Sequence, residues 1–142
     1  MHIDSQAGRT PAARASAAAA PVRTPAFFDA VAPIRMQDAL AATLGAAQDG
    51  ILEYTYLDAV KLAGHSCPTV AGAYLMTRTA LSRLYPGELP RRGEVRVELR
   101  DAQEDGVVGV VANVAGLITG AAGPGGFKGL AGRHARRGLL AF

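Results

Sequence analysis

Residues 94–114 read EVRVELRDAQEDGVVGVVANV, and the fold class turns on how they pair. Glu94 to Arg100 alternates strictly, with Val95, Val97 and Leu99 on one side and Arg96, Glu98 and Arg100 on the other. A period of two is that of a half-buried strand. Asp101 to Gly106 supplies turn chemistry, and Val107 to Val114 is apolar on both faces apart from Asn113, which predicts a second strand and a hairpin. The segments upstream read as helices. Helices followed by a hairpin are segregated rather than alternating elements, so the expected class is α+β, with helices packed on one face of an antiparallel sheet.

Working outward, Pro25 to Pro33 is a connector whose Phe27 and Phe28 are expected to anchor what precedes them. Ile34 to Ala47 has apolar residues near a three-four spacing and Asp49-Gly50 as a stop, which predicts a helix. Ile51 to Thr55 fits a short strand. Tyr56 to Ala63 fits one or two helical turns ended by Gly64, the usual left-handed cap. His65-Ser66-Cys67 then links to a helix from Pro68 to Leu84, because proline's fixed φ and missing donor suit a first helical position. Cys67 becomes the N-cap. The first half of that helix is apolar nearly all round, which places Cys67 inside the protein or at the floor of a cleft.

Composition narrows the class further. With 142 residues, 49% of them hydrophobic and 19% charged, the chain can bury a core without disulfide or metal staples. A single cysteine excludes an intrachain disulfide and a zinc ribbon, and it suits a reducing compartment, so a cytoplasmic location is expected. Apolar runs fall short of the roughly 18 to 20 residues that a spanning helix needs, so no membrane partner is expected. Residues 1–26 form an Ala/Pro/Arg-rich stretch without a secretory apolar segment and read as a disordered tail ahead of one domain, residues 27–142. Net charge is +2 over residues 1–26, −3 over 27–105 and +4 over 106–142, and ten of the seventeen glycines lie in the last segment. Four Tyr, four Phe and no Trp give little stacking platform, so a nucleic-acid partner is not expected. Arg136 and Arg137 read as a solvated basic surface.

Three places can carry chemistry. His65-x-Cys67 stands ahead of a helix N-terminus, where the dipole and unpaired amides favour a thiolate, the form that acts as nucleophile or metal ligand. Two ligands are visible where zinc usually takes three or four, and the alternative is a small apolar cysteine beside a capping histidine. The glycine loop Gly120 to Gly132 fails the phosphate-loop and dinucleotide patterns, because Lys128 is followed by Gly129 and stands where a third glycine is required. Its backbone can still form an anion nest with Lys128 and Arg133, or simply pack tightly. Asn113 and Thr119, read as polar atoms on the second strand and its exit, complete a candidate anion or ligand site.

GHSCP at Gly64 to Pro68 and ITGAAGPGGFKGL at Ile118 to Leu130 together resemble the FmdE family, named for a component of formylmethanofuran dehydrogenase, over residues 27–142. The resemblance implies an α+β core, a homodimer, and a cleft holding a divalent metal, zinc first, with His65 and Cys67 as ligands. Ala63 stands where the family typically has a further histidine, and Ala115 and Ala121 lie where it often has cysteines. That implies a bacterial branch with a reduced site. It also implies early termination, since the family's core continues beyond the position of Phe142. The leading expectation is a metal-binding protein with Lys128 and Arg133 facing a small anionic ligand, no dehydrogenase activity being implied for this chain. The alternatives are a metal-independent thiol enzyme or anion-binding accessory protein, with Cys67 as candidate catalytic residue, and a truncated domain without activity of its own.

Overall fold

Proline, aspartate and glycine set the element boundaries in the computed structural model, which describes Ile3 and residues 22–142. The expected tail, apart from Ile3 and residues 22–26, lies outside the described residues. The elements run α1 (Phe27–Ala30), β1 (Ile34–Gln37), α2 (Ala39–Thr43), β2 (Ile51–Tyr54), α3 (Tyr56–Ala63), α4 (Pro68–Leu84), β3 (Val97–Glu98), α5 (Val108–Thr119) and β4 (Leu140–Ala141). The class is α+β.

The expected helix over Ile34–Ala47 is instead a strand followed by a short helix. Ile34 and Met36 point inward while Arg35 is exposed, a period of two. β1 pairs antiparallel with β2, in the register Ile34 to Tyr54 and Gln37 to Ile51. Asp38 makes the break: its Oδ1 accepts the Leu40 amide at 2.9 Å and the Ala41 amide at 3.2 Å, capping α2. Gly50, at φ +72°, closes the turn back into β2, and a Cβ there would lie 2.7 Å from the Asp38 carbonyl.

The expected hairpin is also corrected. Val107–Val114 is not a strand, because α5 occupies Val108–Thr119. An apolar run of this length suits a buried helix as well as a strand, and as a helix it turns Ala112, Val114, Ala115 and Ile118 inward. Residues 94–100 keep their alternation, with Val95 buried, Val97 and Leu99 half-buried and the charged residues exposed. Only Val97 and Glu98 enter a ladder, and their partner is parallel: Leu140 and Ala141 of β4.

α3 and α4 form as expected. Gly64 ends α3 in the left-handed region at φ +76°. Cys67 is the N-cap of α4 with Pro68 opening the helix. One face of α4, Val70, Ala73, Tyr74, Thr77 and Leu81, turns inward at helical spacing. Together with Met36, Ala59 and Ile118 it fills the core, and Phe28 rests edge-on against Tyr56 with ring centroids 5.1 Å apart. The buried Tyr74 hydroxyl reaches the Tyr54 carbonyl at 2.8 Å and so ties α4 to the end of β2.

Candidate functional site

The linker between α3 and α4 is held from below. The Tyr56 and Ser66 hydroxyls lie 2.7 Å apart, which fixes the middle of the linker against the start of α3. His65 and Cys67, flanking Ser66, are thereby placed together at the N-terminus of the 17-residue α4. His65 is exposed and Cys67 is half-buried, packed against the edge of the core cluster rather than enclosed within it. Full burial along α4 begins at Val70, one turn later, so Cys67 stays at the rim of the core.

The electrostatics of the pair follow from this placement. The Val70 amide draws the Cys67 thiol below the ordinary thiol range; burial opposes this, and the Thr69 amide and the His65 imidazole add to it. The amides act on the sulfur as oriented dipoles, since the thiol closes no capping hydrogen bond. The His65 imidazole is pushed above its ordinary value, first by its hydrogen bond to the Ala63 carbonyl and then by the Cys67 sulfur. Nδ1–H donates to that carbonyl at 3.0 Å, which fixes the ring. Among the described residues no group of three or more His, Cys, Asp or Glu is placed to hold a metal ion.

The other expected site residues do not converge. Asn113 lies exposed on α5, not buried in a strand. Thr119 is buried at the end of α5, but its hydroxyl donates to the Ala115 carbonyl at 2.7 Å and accepts the Ala121 amide at 3.2 Å, so it is spent inside the fold. Lys128 and Arg133 are both exposed on the glycine loop. That loop is an ordered hairpin: Leu130 and Arg133 exchange backbone hydrogen bonds at 2.8 and 2.9 Å, with Ala131 and Gly132 both at positive φ between them.

The sequence reading missed a buried charged cluster. Asp38 Oδ2 accepts Arg92 Nη1 at 3.0 Å, and Oδ1 accepts Arg136 Nη2 at 2.6 Å. Arg136 is 6% exposed, which corrects its reading as solvated surface; Arg137 is exposed. The only sequence signals are Gly93 beside Arg92 and Asp38 ahead of a helix.

A small α+β protein with a paired thiol and imidazole at a helix N-terminus is what fold and site define. Compared with protein-family models, curated proteins and solved structures, the chain matches none. The resemblance to the FmdE family therefore rests on its two motifs alone. No helix of the described residues is long and apolar enough to cross a membrane.

Proposed function

We propose that the chain binds a divalent metal ion, zinc first, through His65 and Cys67, in a site completed by the same pair from a second copy. The observation that carries this is the exposed imidazole beside the thiol, its Nδ1–H donating to the Ala63 carbonyl. Metal-binding histidines are characteristically oriented by such a carbonyl, which leaves the other ring nitrogen to the ion. A thiol already drawn toward thiolate loses its proton to metal at little cost.

Zinc takes four donors in a structural site, so this pair fits as half of a shell and not as a whole one. Two copies meeting at this edge supply two sulfurs and two nitrogens. When bound, such an ion supplies cross-linking and, if a position stays open, Lewis acidity. The protein's own part is to hold the two donors together: Ser66 and Tyr56 fix the linker, Gly64 turns the chain, and α4 points its amides at the sulfur. Asn113, Thr119, Lys128 and Arg133 have no part in this proposal.

The test is metal content by plasma mass spectrometry with sedimentation equilibrium, on untagged wild type and Cys67→Ser purified side by side. One zinc per two chains in a wild-type dimer, lost together with the dimer in the variant, is the expected result. Metal-free, well-folded wild type, or a variant that keeps its metal, overturns the reading.

A further inference from the structure

The segment from Glu94 to Arg100 has one edge in use and one open. The Val97 amide donates to the Leu139 carbonyl at 2.7 Å and the Leu99 amide to the Ala141 carbonyl at 3.0 Å, which seats that edge on β4. Backbone groups alternate in direction along a strand, so those of Arg96 and Glu98 point the other way. Among the described residues they have no backbone partner. β4 is closed on its far side, where the Leu139 and Leu140 amides both reach the Ala122 carbonyl at 3.1 Å. The open edge is therefore that of β3.

Arg96 and Glu98 stand on the outward face, 62% and 71% exposed at their side chains, while Val97 and Leu99 on the inward face are only half-buried. Charges guard an open edge when like meets like across two paired copies. Two copies joined by the same edge pair antiparallel about a two-fold axis. With Arg96 and Glu98 supplying the hydrogen bonds, that axis passes through Arg96, Val97 or Glu98. Through Arg96, that residue meets itself and Glu94 meets Glu98. Through Glu98, that residue meets itself and Arg96 meets Arg100. Through Val97 every charge meets its opposite, because EVRVELR reverses sign about its centre: Arg96 faces Glu98 and Glu94 faces Arg100. On the inward face Val95 then meets Leu99, and Val97 meets Val97.

We propose that β3 is a self-association edge, pairing antiparallel with β3 of a second copy in the register centred on Val97. Arg96 of each copy exchanges backbone hydrogen bonds with Glu98 of the other, and their side chains pair on the outward face. A contact of one short strand belongs with the transient interfaces, filled toward millimolar concentration and empty at micromolar. It is independent of His65 and Cys67.

The test is sedimentation equilibrium of the full chain from micromolar to millimolar concentration, in EDTA and a reducing agent so that neither metal nor disulfide links two copies. Wild type is expected to pass from monomer to dimer over this range. Arg96→Glu and Glu98→Arg, each exposed enough to leave the fold intact, should each weaken the dimer about tenfold or more, since both symmetry-related pairs turn from attraction to repulsion. An equimolar mixture of the two variants should associate again, because unlike charges then face each other although the ion pair within each chain stays broken. A wild type that remains monomeric at millimolar concentration overturns the proposal. So do single variants that dimerise as wild type does, or a mixture that fails to recover.

Discussion

Asp38 is the residue on which most of this structure converges: one carboxylate caps α2 and holds two arginines from distant parts of the chain. Burial pushes its carboxyl up, but the Arg92 hydrogen bond, the Ala41 amide and Arg136 more than offset this, so it sits below the ordinary carboxylate range. Asp38→Asn keeps a capping acceptor and removes the charge, and should cost about 3 to 5 kcal/mol in urea denaturation at neutral pH. The folded carboxyl takes up its proton at lower pH than the unfolded one. Its stabilisation is therefore whole above the unfolded value of about 3.9 and is lost as pH falls through the folded value. The gap between wild type and Asp38→Asn should close below about pH 4. Two glycines separate strain from contact. Gly87, at φ +78°, has nothing within 4 Å of an added Cβ, whereas Gly93, at φ +85°, has Arg136 in the way. Gly87→Ala should cost about 1 kcal/mol, and Gly93→Ala clearly more, since Arg136 must leave its seat; urea denaturation of the two variants side by side checks the order. Local residue signals such as Gly64, Cys67 and Pro68 were legible in the sequence because capping is decided within one turn. Arg136 was not, because its partner lies 98 positions away.

Among the elements, α3 is set by its own ends. Asp58 accepts both the amide and the hydroxyl of Thr55 at 2.8 Å, and Gly64 stops the helix in the left-handed region. Asp58→Ala should lower stability by about 1 kcal/mol, read from the thermal midpoint, with the α4 end of the linker loosened as well. β1 and α5 show where pattern reading fails. Ile34, Gln37, Leu40 and Leu44 fit a helix by spacing, but the capping aspartate at Asp38 is a start signal in the middle of that run, and it outranks the period. In α5 the β-branched valines favour a strand, yet the run is twelve residues long and lies against α4 and α3. Tertiary packing wins there. The outward face of α4 carries a shallow groove of about 390 Å³ lined by Leu75, Met76, Thr79, Ala80 and Arg83, which involves neither His65 nor Cys67.

At the scale of the whole molecule, the class was readable and the pairing was not. The strand over residues 94–100 kept its inward and outward faces, but β3 found β4 rather than a hairpin neighbour. Parallel pairing across such a separation leaves no local mark. The Asp38 cluster joins the start of α2, the end of α5 and the segment ahead of β4, so unfolding of the described domain should be a single event. Calorimetric and van't Hoff enthalpies are expected to agree, and a broad, non-cooperative melt would count for the inactive-fragment alternative. The order of synthesis gives the same cluster a further meaning. Asp38 leaves the ribosome 54 residues ahead of Arg92 and 98 ahead of Arg136. At usual elongation rates the growing chain spends on the order of seconds with the first pair available and the second absent. Through that interval Gly93 has no guanidinium seated on it and β3 has no neighbour. The nascent protein carries an open slot that only its own residues 136–141 fill.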